Sequence, residues 1–273
     1  MQISDVKYKK IFVVLFLVLL FGLWYFSKTP SNDRSWALDQ QILSYAEFDN
    51  DEVTVFNIRN FNYESTSEYI PDYYDKTFNL KELTSVDYIV EPFGSIGVAH
   101  TFVSFGFSTG DYLAISVEIR KEVGESFSPL KGLLKNYELM YVVADERDVI
   151  NLRTNYRKDT VYLYPVRASK ENMRALFIDM LKRTNKLRDN PEFYNTLTST
   201  CTTNIASHIN KIVPGRIPWD PRLLFPENSD ALAYELGLID NSVTLEELRE
   251  RNKINGKAEQ YADSPDFSKL IRK

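Results

Sequence analysis

The sequence predicts an α+β chain in which a central antiparallel sheet packs against helices, preceded by one membrane-spanning helix. Three observations carry this expectation. Residues 11–26 are apolar without a charge, residues 53–165 hold alternating strand-like segments divided by turn residues, and residues 169–212 place apolar side chains at helical spacing.

The apolar run IFVVLFLVLLFGLWYF extends through Tyr8 and Ser27 to a transmembrane segment at 8–27, limited by Lys9, Lys10 and Lys28. A bilayer core requires about 20 apolar residues, flanking lysines can snorkel, and Trp24 and Tyr25 suit the headgroup region at the outer end. A buried core helix of this size would show a polar stripe, which the run lacks. Lys7, Lys9 and Lys10 precede the run, while Lys28, Asp33 and Arg34 follow it with mixed sign, so the positive-inside rule places residues 1–10 in the cytoplasm and exports the rest. The run ends Leu-Trp-Tyr-Phe-Ser-Lys instead of in small residues of A-x-A type, and no cysteine stands at its end for lipoprotein processing, so an uncleaved signal anchor is expected. About 245 residues follow, enough for one large domain, expected at 34–240, with a C-terminal helical extension at 241–273.

Residues 36–48 read as a short helix, which Asp49-Asn50-Asp51 turns into the alternating strand Val53-Thr54-Val55-Phe56-Asn57-Ile58. A polar loop spans 62–75. Four strand candidates follow at 85–90, 99–107, 112–122 and 139–144, and Ser108-Thr109-Gly110-Asp111 joins the middle two as an antiparallel hairpin. Residues 145–156 form a charged connection, helical in its first half, and 159–165 give a last strand. Ser169 caps a helix reaching about residue 187, with Met173, Leu176, Phe177, Met180 and Leu181 on its apolar face. Pro191 is expected to open a short helical segment. A helix then starts near Cys201 and runs to about residue 212, and the connector VPGRIPWDPRLLFP leads to weakly helical segments.

Composition excludes several function classes. With 33 Lys and Arg against 38 Asp and Glu, the chain carries a formal charge of −5, which argues against a nucleic-acid partner because that binding depends on clustered cations. Two histidines and one cysteine form no H-x-x-x-H or C-x-x-C spacing, so no metal is expected. No phosphate-cradling glycine loop and no G-x-S-x-G elbow occur, and no cofactor is expected.

The single cysteine stands in Ser199-Thr200-Cys201-Thr202-Thr203-Asn204, a polar run that announces a helix N-terminus. A thiol there faces unsatisfied N–H groups and the positive end of the helix dipole, which favour a thiolate and could also receive an oxyanion. The plain alternative is a small buried hydrophobe. A nucleophilic cysteine needs a base. His208 lies seven residues along the same helix, about 10 Å by the helical rise, so it is expected only as a favourable cation or hydrogen-bond donor near the helix end. His100 opens the strand AHTFVSFGF after the loop EPFGSIG and is the better candidate, its alternative being a satisfied interior histidine. For the third group the partner strand offers Ser116, Glu118 and Arg120 on one face, and Glu118 is preferred over its plain reading as a surface carboxylate paired with Arg120 or Lys121.

Five separated stretches resemble one family in order. They are Val55-Phe56-Asn57-Ile58-Arg59-Asn60-Phe61, the strand from Ala99 through His100 to Phe107, Ser116-Val117-Glu118-Ile119-Arg120, Tyr194-Asn195-Thr196-Leu197 with Cys201-Thr202-Thr203-Asn204-Ile205, and Arg216-Ile217-Pro218-Trp219. The family is the Lnb N-terminal periplasmic domain, similar to permuted papain-like proteins of the lecithin:retinol acyltransferase and NlpC type, in which histidine precedes cysteine. The resemblance implies a papain-like sheet packed on the cysteine helix, Cys201 as nucleophile and His100 as base. Arg59, Arg120, Thr200 and Thr202 are the expected substrate-contacting residues. Thr200 stands where the family commonly has Asn. The activity implied is acyl transfer or hydrolysis on a lipid or lipoprotein, by a domain held in the periplasm by a single pass of the bacterial inner membrane. A cell-wall peptide amidase of NlpC type and a non-catalytic envelope scaffold are the alternatives.

Overall fold

The structure, a computed structural model, describes residues 2–94 and 96–273. Helix α1 (Gln2–Ser27) contains Tyr8–Ser27, long and apolar enough to cross a membrane, with none of these residues buried in the rest of the protein.

Ten strands follow in order: β1 (Tyr45–Asp49), β2 (Glu52–Arg59), β3 (Asn62–Tyr63), β4 (Tyr69–Ile70), β5 (Tyr73–Asn79), β6 (Leu83–Pro92), β7 (Ala99–Phe107), β8 (Tyr112–Arg120), β9 (Glu138–Asp145) and β10 (Tyr162–Pro165). Between them lie the helices α2 (Pro129–Leu133) and α3 (Glu146–Asn151), the latter continuing into a wider turn at Leu152–Tyr156. After β10 come α4 (Lys170–Asp189), α5 (Cys201–Ile212), α6 (Ser229–Glu235), α7 (Leu245–Asn252), α8 (Asn255–Gln260) and α9 (Phe267–Leu270).

The main sheet runs β1-β2-β9-β8-β7-β6-β10, with β5 also pairing β2. All pairings are antiparallel except β2 beside β9. Both faces of this sheet are covered. Val86, Val103, Phe105, Ile115 and Tyr141 pack with Phe177 and Met180 of α4 and with Ile205 of α5, while alternate residues such as Ile89, Phe102, Ala114 and Val142 meet Val149 of α3, Ala258 of α8 and Phe267 near the C-terminus. The two-residue side-chain period of a strand is what divides one sequence between two cores. The architecture is therefore the expected mixed α+β one, a large sheet against helices.

Three local expectations are overturned. Residues 36–48 do not form a helix: only Leu38–Gln40 make a single tight turn, and from Tyr45 the chain is the strand β1. Asn50 adopts a left-handed backbone, φ 53°, and closes β1 onto β2, where Tyr45 stacks on Phe56 with ring centroids 4.5 Å apart. Cross-strand pairing and two hydrogen bonds between the Ala46 backbone and Asn185 of α4 outweigh a weak helical pattern. The stretch 62–75 is not all loop, because Tyr73 opens β5, and its ring packs edge-on to Phe61 at 5.3 Å. Pro191 opens no helix. The chain there runs extended, pairing Glu192 and Phe193 with the start of β9, and two-dimensional pairing replaces local helical bonding.

Residues 241–273 pack onto the sheet. Arg272 bridges the buried carboxylates of Asp87 and Glu146, with Nη2 2.7 Å from Asp87, and Ile271 is fully enclosed.

Candidate active site

One end of the sheet brings the candidate residues together. His100 is the second residue of β7 and sits opposite Glu91 of β6. On the other side β8 pairs Ser116 with Phe102, and the same antiparallel register carried two residues further brings Glu118 level with His100. The His100 Nε2 lies 2.6 Å from Ser116 Oγ and 3.1 Å from Glu118 Oε1, and the Ser116 hydroxyl donates to the same Glu118 oxygen at 2.7 Å. Nε2 is thus committed to the Ser116 and Glu118 side, which leaves Nδ1 for a partner on the other.

Cys201 lines the same cleft and bears on the charge of the imidazole. It is the first residue of α5, and Thr200 caps the helix by accepting from the Thr203 N–H at 3.2 Å while Thr203 Oγ1 accepts from the Thr200 N–H at 2.8 Å. This reciprocal capping box is what starts the helix at the cysteine. Thr202, one residue on, meets Thr101 of β7 through their hydroxyls at 3.0 Å and pins the helix start to the strand that bears His100. The N–H groups of the first helical turn have no intrahelical carbonyl to bind, so those of Cys201 and Thr202 are free to receive an anion.

Burial opposes charge on every member and is the largest single influence on each. For His100 the neighbouring Glu118 carboxylate and the Cys201 sulfur prevail over it and raise the imidazole to about 10. For Cys201 burial pushes the thiol up, but the His100 charge and hydrogen bonds from His100 and Thr101 bring it to about 7. Burial likewise works against the Glu118 carboxylate, which His100, Arg153 and Ser116 nevertheless hold well below the usual range. Around pH 7 to 10 the pair favours a thiolate beside an imidazolium.

Arg153 was not singled out by the sequence, and no local pattern in the charged stretch 145–156 marks it. Its Nη2 donates to Glu118 Oε1 at 3.0 Å, its Nε to Glu91 Oε2 at 2.6 Å, and its plane lies 4.8 Å from the Phe102 ring centre. It joins the carboxylates of β6 and β8 and so holds Glu118 in place. Ser116, read from the sequence only as a face-mate of Glu118, bridges Glu118 and the imidazole.

His100, Glu118, Thr200, Cys201 and Arg59 all line one cleft, open to solvent. Arg59 is held there by Asp148 through two contacts, Nε to Oδ2 at 3.1 Å and Nη2 to Oδ1 at 2.7 Å. Arg120 is not brought to the cleft. Its guanidinium donates to the carbonyls of Gln40 and Gln41, each at 2.9 Å, and to Asn32 at 2.8 Å, over the Trp36 ring, closing the segment that follows α1 onto the sheet. Glu118 is not the surface partner of Arg120 or Lys121 either. His208 differs from expectation: burial lowers its pKa, and it lies between Asp179, Nδ1 to Oδ2 at 2.8 Å, and the Tyr141 hydroxyl, Nε2 to oxygen at 2.8 Å. It is a neutral interior link between α4, α5 and β9. Among the described residues no group of three His, Cys, Asp or Glu is placed to hold a metal ion.

The family model described as the Lnb N-terminal periplasmic domain matches residues 69–227, more than half of the chain. The chain belongs to that family. The matched residues contain Glu91, His100, Ser116, Glu118, Arg153 and Cys201, while α1, the strands β1 to β3 with Arg59, and the helices α6 to α9 lie outside them. A periplasmic domain behind one apolar N-terminal helix fits a single-pass membrane protein. No curated protein and no solved structure matches the chain.

Proposed function

We propose that this Lnb-family protein is a membrane-anchored thiol enzyme that moves or hydrolyses an acyl group of a lipid or lipoprotein at the periplasmic face of the inner membrane. The observation that carries the reading is the single cysteine at the start of α5, beside an imidazole whose other side is held by Ser116 and Glu118. The order of the two residues in the chain, histidine on a strand before cysteine on a helix, also supports a permuted papain-like plan.

In this reading the Cys201 thiolate attacks the acyl carbonyl, a C–S bond forms, and the carbonyl oxygen becomes an oxyanion facing the N–H groups of Cys201 and Thr202. The His100 imidazolium gives its Nδ1 proton to the departing alkoxide or amine as the C–O or C–N bond breaks. The resulting thioester is attacked by water or an amine, whose proton returns to His100, and the C–S bond breaks. Glu118, held by Arg153, keeps the ring oriented and stabilises its charge. Arg59 and Thr200 on the cleft wall are the groups placed to contact substrate. Beside Thr202 a second, almost wholly apolar cavity lies between the sheet and α5, lined by Val86, Val103, Ile205, Ile209 and Leu232, and favours an acyl chain over a peptide.

The test is to incubate the purified full chain with envelope extract, quench in acid and look by mass spectrometry for an adduct on the Cys201 peptide. A fatty-acyl mass that hydroxylamine removes and that is absent from Cys201→Ala supports the reading. Muropeptide cleavage without an acyl adduct would reassign it to a cell-wall amidase, and an unmodified Cys201 with neither activity would point to a scaffold.

A further inference from the structure

We propose that the cleft end of the sheet lies on the bilayer, with exposed apolar side chains around the cleft mouth bedded in the leaflet from which α1 emerges. The inference takes α1 as membrane-spanning and does not depend on the acyl-transfer reading.

The anchor fixes the position. Lys28, one residue past α1, donates to the Leu134 carbonyl at 2.7 Å and to Asn136 at 2.9 Å, and Lys135 lies 4.4 Å over the Tyr25 ring. Residues 134–136 belong to the connection from the end of β8 to the start of β9, which is the same end of the sheet as His100 and Glu118. The next residues stay there: Ser31 donates to Glu138, and Asn32 to the carbonyls of Leu187 and Arg188 at the end of α4. The aromatic end of α1, where Trp24 and Tyr25 suit the headgroup region, therefore touches the domain beside the cleft.

The surface at that place is apolar. Val123, Phe127 and Leu130 occupy the same connection, Leu130 being 64% exposed. Leu197, 55% exposed, stands beside them, because Thr196 donates to the Pro129 carbonyl at 2.8 Å. Phe225, 63% exposed, packs on Gly97 in the β6–β7 connection at the same end. Phe127 and Phe225 both line the cleft. Large apolar side chains left in water around a cleft mark an interaction surface, and here the bilayer is the partner already in place. The opposite end of the sheet gives the contrast: the β7–β8 turn at Thr109 lies a strand length away, about 25 Å by the rise per residue, and is polar.

The experiment uses the full chain carrying Cys201→Ala, with one cysteine introduced at a time as Leu130→Cys, Leu197→Cys or Thr109→Cys, each labelled with an environment-sensitive fluorophore. The chains are reconstituted into phosphatidylethanolamine and phosphatidylglycerol vesicles with and without lipid bearing a nitroxide near the headgroup. Several-fold stronger quenching at 130 and 197 than at 109, with blue-shifted emission, is expected. Quenching at 130 and 197 no stronger than at 109 would overturn the proposal. Since Cys201→Ala removes the thiol, this result is independent of whether an acyl-enzyme forms.

Discussion

His100 and Cys201 each make the other's charged form easier to keep, and this has a pH signature. A thiol held at about 7 is deprotonated a unit or more below the ordinary range near 8.5, while an imidazole held at about 10 keeps its proton through that interval. The iodoacetamide rate of Cys201 should therefore rise through pH 7 and level off above about pH 8, where the thiolate is fully formed. His100→Gln removes the opposing charge and leaves burial in control, so the midpoint should move above about 8.5, and turnover should fall roughly 10²-fold or more. A midpoint that His100→Gln leaves at 7 would remove His100 from the site. The other histidine gives the opposite pattern. His208→Gln should leave the alkylation midpoint and turnover unchanged, yet lower stability by about 1–3 kcal/mol in urea unfolding, since Asp179 and Tyr141 lose buried partners.

At the scale of elements, the start of α5 decides where the sulfur sits. Thr200 takes the N-cap position, in which Ser, Thr, Asp and Asn are all favoured, so an Asn would serve there as well. Thr200→Ala should cost about 1 kcal/mol of stability and blunt the thiol's reactivity, whereas Thr200→Asn should stay within a few tenths of a kcal/mol. Denaturant melts together with the alkylation midpoint check both. A loss with Asn equal to that with Ala would mean that Thr200 acts through its methyl or its packing, not through its cap. The β7–β8 hairpin matters in the same way: its register sets Glu118 level with His100, and a one-residue slip of β8 would turn Glu118 to the face away from His100.

The whole molecule is closed from both ends of its chain. Arg272 lies between the enclosed carboxylates of Asp87 and Glu146, so Arg272→Ala should destabilise the protein by about 3–5 kcal/mol by leaving them unpaired, although it is far from Cys201 in sequence. Thermal melts would show it, and a loss below about 1 kcal/mol would mean that the C-terminal segment is only loosely attached. At the other end, the lysines before the apolar run of α1 predict that a C-terminal alkaline phosphatase fusion is active and that a fluorescent fusion which folds only in the cytoplasm is dark. The reverse pattern would place the domain on the wrong side for a periplasmic function.

Several features were determined by the amino-acid sequence alone because they rest on local chemistry. The uncharged apolar run makes a helix long and apolar enough to cross a membrane, Ser169 caps α4 by accepting from the Asn172 N–H, Ser108 to Asp111 turn β7 into β8, and the polar run before Ile205 starts a helix at Cys201. Cys201 and His100 could be named as candidates since each opens an element, and openings are written in nearby residues. What only the tertiary structure decided is what meets across the sheet. Arg153, 35 residues from Glu118 and 62 from Glu91, joins them through a fold contact that no spacing announces, and Arg120, a face-mate of Glu118 in sequence, is drawn away by Gln40, Gln41 and Asn32. The edge strands β1 and β5 were likewise hidden, since an edge strand is held by its partner's hydrogen bonds more than by its own side-chain pattern. Local propensity travels with the residue, whereas a buried guanidinium or an edge strand is defined by groups the chain brings back from elsewhere.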